Sequence, residues 1–183
     1  MMQPLKRVGR FVRDRKGVAA VEFAFVAPIL ILAYFGMAEL CGAMMAERKA
    51  SHVASAIADL TAQYASLQPS DIDNFFVAGD TIMSPSSTAG LKMRISVVQE
   101  NAGGTASTVT WSCASSNWTP NPVGTAVVLP ASLVAASQSV VMSEVKYTYT
   151  SPVTYMLPSA FNYSDKFYLR PRLVDPIPAP SGC

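Results

Sequence analysis

Glu22 is the residue whose chemistry stands out first, because it lies at the start of an apolar run. Residues 23–38 carry no charge, and Glu22 directly precedes them, five positions after Gly17. A carboxylate inside a bilayer costs ~2.5–3.5 kcal/mol on insertion scales, so such residues are rare and usually functional. The alternative is that Glu22 sits among lipid headgroups, close to Arg15 and Lys16.

Catalytic and metal-binding patterns are absent from the sequence. It contains no phosphate-binding loop, no nucleophile elbow and no HExxH zinc helix. His52 is the single histidine, and it is expected on a regular helix soon after the apolar run. The three cysteines are too scattered for a metal site. We therefore expect no enzyme activity, no cofactor and no metal, with an envelope hydrolase as the catalytic alternative.

Cys113 and Cys183 form the candidate disulfide. Both fall in the region that we expect to be exported, where an oxidising compartment permits the bond. Cys183 ends a proline-rich tail that would fray unless something held it. The alternative is a buried, apolar Cys113 and a free terminal thiol. Cys41 lies in or at the edge of the apolar helix segment and is expected to act as a small, buried apolar residue.

The first 17 residues form a basic leader. They hold six of the fourteen basic residues and one of the twelve acids, so removing them leaves eight basic and eleven acidic residues, net −3. Because basic flanks stay in the cytoplasm, the leader is expected there and the rest of the chain outside. A nucleic-acid partner is not expected. The alternative is a secretory signal cut near Ala43 or Ala46, although its apolar core of ~7–15 residues would be shorter than this run.

The composition and periodicity predict one long helix followed by a mixed domain. Good helix formers fill residues 18–65, with Pro28 expected to bend or loosen the helix. Val53, Ile57, Leu60 and Tyr64 form an apolar stripe that should pack on the domain. Four regions follow: a cytoplasmic leader (1–17), a transmembrane part of the helix (18–46), its extracytoplasmic continuation (47–67) and a globular α+β domain with a proline-rich tail (68–183).

The domain is predicted to contain a second helix and an antiparallel sheet. The second helix should start near Ser70 or Asp71. Alternating apolar residues predict a strand over residues 91–97, and Val109, Trp111 and Cys113 are expected to share one face of the next strand. These two strands should form a hairpin. Further strands are predicted over residues 141–150 and 167–170.

The N-terminal pattern is similar to that of a known family. Residues 15–30, RKGVAAVEFAFVAPIL, resemble a type IV prepilin signal and, more specifically, the start of TadE-like pseudopilins of the tight-adherence pilus system. Weaker similarity extends to residues 109–113, 129–130, 144–149 and 170–172. The resemblance implies a pilin-like arrangement of helix and domain. The domain is larger than the very short major pilins of that system, which argues against a bulk filament subunit.

The resemblance also assigns roles to individual residues. It implies cleavage between Gly17 and Val18 by a prepilin peptidase, with Glu22 as the pilin-type assembly glutamate. Phe23 would be the signal aromatic, where several related prepilins have Tyr. After cleavage, the new α-amino group of one subunit could neutralise Glu22 of a neighbour, which would offset part of the cost of burying each charge.

These observations predict a non-catalytic minor pseudopilin that assembles or initiates a tight-adherence pilus. Its expected partners are the prepilin peptidase, other pilins or pseudopilins, the inner-membrane assembly platform and membrane lipid. The expected location is the bacterial inner membrane, crossed once, with a periplasmic C-terminal domain that could enter an extracellular pilus. The alternative function is an uncleaved, membrane-anchored binding module.

Overall fold

Two helices and a five-stranded antiparallel sheet are the regular elements of the chain in the computed structural model, which describes residues 17–130, 133–151 and 160–183. The predicted α+β class, with an apolar N-terminal helix ahead of the sheet, is confirmed. The basic leader, apart from Gly17, lies outside the described residues.

Helix α1 spans Val18–Ala62, three residues short of the predicted end. It runs on through Pro28, whose missing N–H removes one backbone hydrogen bond. At 45 residues and ~1.5 Å per residue, α1 is about 68 Å long. A helix of that length extends well beyond a small domain, so only part of it can pack on the sheet.

Helix α2 spans Pro69–Met83, and its start shows why the sequence begins a helix here. Pro69 occupies the first turn, where its missing N–H matters least. The Asp71 carboxylate accepts a hydrogen bond from the Gln68 backbone N–H at 2.8 Å, which completes a capping box. Ile72 and Phe75 are buried against the rest of the domain.

The sheet has the strand order β3-β2-β1-β4-β5, with antiparallel pairing throughout. The predicted hairpin is present as the first two strands, and the last strand begins earlier than predicted. The bounds are β1 Leu91–Glu100, β2 Ser107–Ala114, β3 Ala126–Val127, β4 Ser139–Tyr149 and β5 Phe161–Leu169. The central position of β1 and β4 follows from their apolar composition, since both are buried on both faces along much of their length.

A β-bulge in β2 corrects one prediction about its faces. Val97 pairs with Trp111 but Val98 pairs with Val109, so Thr110 is the extra residue. As a result Val109 packs on the opposite side of the sheet from Trp111 and Cys113. The strict alternation assumed from the sequence fails because one extra residue reverses the facing of every side chain beyond it.

The main core lies between one face of the sheet and the two helices. Alternating β1 residues fill it as predicted, and the α1 surface that covers them consists mainly of alanines. These small side chains let the helix approach the sheet closely. The buried apolar residues of α1 are Ala43, Ala46, Ala50, Val53, Ala54, Ile57, Ala58 and Ala62. Val53 and Ile57 confirm the predicted stripe, whereas Tyr64 remains 38% exposed.

A smaller apolar cluster occupies the outer face of the sheet. Val98, Val109, Val140 and Met142 are buried there, and side chains between β3 and β4 pack over them, including Leu129 and Leu133. The sheet is therefore covered on both sides near its middle.

Candidate functional site

Gly17 lies at the N-terminal end of α1 with helical backbone angles (φ −82°, ψ −12°). A Cβ atom built on Gly17 would meet no atom of the described residues within 4 Å. The fold therefore does not require glycine at this position. If glycine is required there, the requirement comes from a second molecule that recognises the junction between the leader and α1.

Val18, Glu22 and Phe23 are all exposed on the first two turns of α1. Phe23 is 68% exposed, although an aromatic ring of this size is normally buried in a soluble domain. Within the described part of the chain, Glu22 has neither a hydrogen bond nor an ion pair. The structure places the predicted site residues close together at the exposed start of one helix.

The projecting part of α1 has the length of a membrane span. No side chain between Val18 and Ala38 is buried, which gives about 21 residues and a length of about 30 Å. Among the described residues, α1 is the one helix long and apolar enough to cross a membrane. Its first buried residue is Glu39, which marks where the helix meets the domain.

Glu39 forms a polar joint between α1 and the sheet domain. Its carboxylate accepts hydrogen bonds from the Ser151 hydroxyl at 2.6 Å and from the Tyr149 hydroxyl at 3.3 Å. Only 7% of the residue is exposed, and buried carboxylates are costly unless they are hydrogen-bonded. The joint thus ties the end of the apolar segment to the end of β4.

Gly42 allows the close approach on which this joint depends. A Cβ atom at Gly42 would lie 2.8 Å from the Tyr149 hydroxyl oxygen, so a larger residue would push the tyrosine away. Burial raises the pKa of Tyr149, and the neighbouring Glu39 carboxylate raises it further. The tyrosine therefore stays protonated and can donate to the carboxylate.

Sequence reasoning missed the Glu39 joint, although a signal was present. Glu39, Ala43, Ala46 and Ala50 recur at spacings of four, three and four, which extends the Val53 stripe backwards. Such spacing places them on one helix face. Small residues and a charged one do not register as an apolar stripe, so the pattern was not recognised as a packing surface.

A charged cluster lies on the outer face of the sheet. Glu144 forms ion pairs with Arg94 at 2.6 Å and with Lys166 at 2.8 Å. Burial alone would raise the pKa of Glu144, but the hydrogen bonds from Lys166 and Arg94 outweigh it and lower the pKa. The Arg94 guanidinium also stacks over Trp118, 4.2 Å from the ring centroid. Each of these charged groups is paired with a neighbour in the same cluster, so we interpret the cluster as a structural network.

The C-terminal tail is tied down at several points, and the predicted disulfide is one of them. Cys113 is bonded to Cys183, with 5.1 Å between their Cα atoms. The Trp111 indole N–H donates to the Ile177 carbonyl at 2.8 Å, and the Asp175 carboxylate accepts from the Ser139 N–H at 2.9 Å. These contacts hold a segment that has no strand pairing of its own.

The described residues contain no group of three or more His, Cys, Asp or Glu side chains that could hold a metal ion. His52 is exposed on α1. Cys41 is a free, exposed thiol and not the buried residue that was predicted, because the sheet domain does not cover its face of the helix. The described residues thus combine an exposed apolar helix, with one acid near its start, and a sheet domain packed on the rest of that helix.

These features define a class: a protein with one projecting, membrane-length N-terminal helix and an antiparallel sheet domain packed on the second half of that helix. The family model described as TadE-like protein matches residues 17–59. The resemblance seen in the sequence is therefore confirmed over α1, and the matched segment starts at Gly17. No curated protein and no solved structure matches the chain.

Proposed function

We propose that this protein is a non-catalytic minor pseudopilin that assembles or initiates a tight-adherence pilus. The observation that carries the proposal is the match of residues 17–59 to the TadE-like model, because it covers the junction and nearly all of α1. The exposed, apolar first half of α1 supports it, since such a surface needs either lipid or other helices around it.

Processing between Gly17 and Val18 is the first step of the proposed function. A prepilin peptidase would cut at the start of the helix, where the exposed Gly17 leaves room for an enzyme. The new α-amino group at Val18 would then pair with Glu22 of a neighbouring pilin. That pairing offsets the cost of placing either charge in an apolar environment, so it couples leaving the bilayer to docking.

The proposed location is the inner membrane, with the leader in the cytoplasm and the sheet domain in the periplasm. The basic leader supports this orientation. The Cys113–Cys183 bond also supports it, because disulfides persist in oxidising compartments. Association with the pilus assembly platform and other pilins would then draw the subunit into the filament base or the fibre.

The first experiment measures the N-terminal mass of the protein from wild-type cells and from cells without the prepilin peptidase. The mature chain should begin at Val18 in the first case and keep its leader in the second. Gly17→Phe should leave the precursor uncut, whereas Gly36→Phe is a matched control at another unobstructed helix glycine. An intact leader in wild-type cells would favour the uncleaved, membrane-anchored binding module instead.

The second experiment concerns Glu22. Glu22→Gln should insert and be cleaved but lose pilus assembly, because the neighbour's amine has no carboxylate to pair with. Glu47→Gln, an exposed acid further along α1, is the matched control and should assemble normally. Normal piliation of Glu22→Gln would exclude an essential role for this residue.

A further inference from the structure

Two lysines face each other across the centre of the sheet without an acid between them. Lys92 of β1 and Lys146 of β4 are directly paired, and both are exposed on the outer face. Like charges directly opposite on neighbouring strands destabilise a sheet. Within the described residues neither lysine forms an ion pair. An unfavourable arrangement of this kind suits a surface that binds an anion.

The carboxylate of Glu144, on the neighbouring outward position of β4, does not pair with the two lysines. Glu144 lies on the same outer face, but Arg94 and Lys166 already hold it. The other outer-face acid of β1, Glu100, lies at the opposite end of that strand from Lys92 and accepts a hydrogen bond from Ser107. The Lys146 ammonium instead lies 5.1 Å from the Trp118 ring centroid. A cation over an aromatic face is held in place but keeps its charge.

A shallow depression beside the lysines offers neutral hydrogen-bonding groups. It has a volume of about 430 Å³, and both lysines line it with Thr148, Asn162 and Ser164. Thr148 donates its hydroxyl proton to the Asn162 side-chain oxygen. The two ammonium groups, the Asn162 amide N–H and the Ser164 hydroxyl remain as donors, and such a set suits a phosphate group. The depression is open, as a headgroup at a membrane surface would require.

The lysine pair lies near the end of the domain where α1 leaves it. Tyr149, which bonds to Glu39 at that point, follows Lys146 by three residues, or about 10 Å along the strand. Gly90, two residues before Lys92, lies against Thr148. The polar layer of a bilayer leaf is about 5–8 Å deep, and a lysine side chain extends several ångströms further.

We propose that Lys92 and Lys146 bind the phosphate of anionic lipid headgroups in the membrane from which α1 emerges. This rests on the proposal that α1 spans a membrane. The contact would hold the sheet domain against the bilayer while the subunit waits to be assembled. Without its leader the chain has net charge −3, so this positive face is a local exception in an otherwise acidic protein. Each lysine near an anionic membrane surface strengthens binding to that surface, relative to a neutral one, by about fivefold.

The test uses the full chain reconstituted in nanodiscs of phosphatidylcholine alone or of phosphatidylcholine with phosphatidylglycerol. Each lysine's rate of modification by an amine-reactive reagent is read by peptide mass spectrometry. We expect modification of Lys92 and Lys146 to slow about fivefold in the anionic discs. The protection should vanish in about 1 M salt, where the screening length is ~3 Å. Lys166, paired with Glu144 further from the joint, should change less than about twofold.

Variants give a second readout. The number of phosphatidylglycerol molecules that remain bound after detergent extraction should fall for Lys92→Gln combined with Lys146→Gln. Lys166→Gln is the matched control on the same face and should retain them. The protection measurement uses the unaltered chain, so a folding defect in the double variant would not remove the test.

Three results would overturn the proposal. Equal modification rates in the two kinds of disc would show that headgroup charge is not sensed. Equal protection by inorganic phosphate in neutral discs would assign a free-anion site, and protection only in the presence of other pilus proteins would assign a protein-docking surface. A chain that inserts but shows no protection refutes only the headgroup contact, whereas a chain that fails to insert contradicts the membrane-spanning helix itself.

Discussion

The two halves of α1 share one helical backbone but lie in opposite surroundings. Up to Ala38 no side chain is buried, whereas from Glu39 onwards every third or fourth residue lies against the sheet domain. The two halves also differ in the surroundings of an acid. Glu22 has no hydrogen bond or ion pair among the described residues, whereas Glu39 accepts hydrogen bonds from Tyr149 and Ser151. In the packed half, the residue types are constrained by packing against the sheet domain. In the projecting half, none of the side chains of residues 18–38 is buried by the described part of the chain.

The largest effect should come from removing the disulfide, which belongs to the packed region. Cys113→Ser combined with Cys183→Ser releases a loop of 70 residues, and chain-entropy reasoning gives a loss of about 4 kcal/mol in the free energy of unfolding. Denaturant unfolding of the detergent-solubilised chain, followed by fluorescence of the buried Trp111, measures it. Recovery of both cysteines as free thiols from envelope-extracted protein would contradict the bond itself.

Matched isoleucines compare the two halves directly. Ile57 is fully buried and Ile31 is 54% exposed on the same helix. Ile57→Ala should lower the free energy of unfolding of the domain by about 3 kcal/mol, because it removes buried atoms and leaves a cavity. Ile31→Ala should leave it unchanged in the same assay. Equal losses for both variants would mean that the projecting half packs on the domain after all.

The two acids provide the third comparison. Glu39→Ala removes the acceptor of two hydrogen bonds and should cost about 1.5–3 kcal/mol in domain stability. Glu22→Ala should not change domain stability, since Glu22 is exposed and forms no hydrogen bond or ion pair with the described residues. Unfolding curves of the two variants, together with their piliation, separate the roles. If Glu39→Ala left the free energy of unfolding unaltered, the joint would not contribute to the stability of the domain.

The smallest effect concerns pH. Because the pKa of Glu144 is lowered in the folded state, the stability from this group is complete above the ordinary carboxyl pKa of 4.5 and is lost as the pH falls through the lower, folded value. Between the two pKa values the unfolded chain binds one more proton than the folded chain. This group therefore contributes at most about 1.4 kcal/mol per pH unit to the slope of the free energy of unfolding against pH. Urea unfolding between pH 7 and pH 3 should show a weaker pH dependence for Glu144→Gln. Parallel curves for the two proteins would rule out this contribution.

The sequence predicted much of the fold where one periodicity dominated. The alternation from Leu91 to Val97 identified β1 and its inner face, and the apolar run identified the projecting helix. The sequence did not predict the bulge at Thr110, because a bulge depends on how two strands are paired rather than on residue types. β5 was predicted too short, since its first residues alternate weakly and gain their pairing from β4.

The candidate site divides in the same way. Gly17, Val18, Glu22 and Phe23 were found from the sequence because their pattern is local, although their cleavage and pairing stay predictions. The Glu39 joint was missed because Tyr149 and Ser151 lie more than a hundred residues away in the chain. No local pattern reports a hydrogen bond over that separation.

By itself, the amino-acid sequence determined that an apolar helix with one acid near its start precedes a mixed domain, because charge and hydropathy along a helix are properties of neighbouring residues. It also restricted the disulfide to a candidate pair. Only the tertiary structure decided where the membrane-length segment ends, since this depends on the sheet covering the alanine face of α1 from Ala43 onwards. It also decided that Lys92 and Lys146 face each other, because strand order and register arise from packing the whole domain at once.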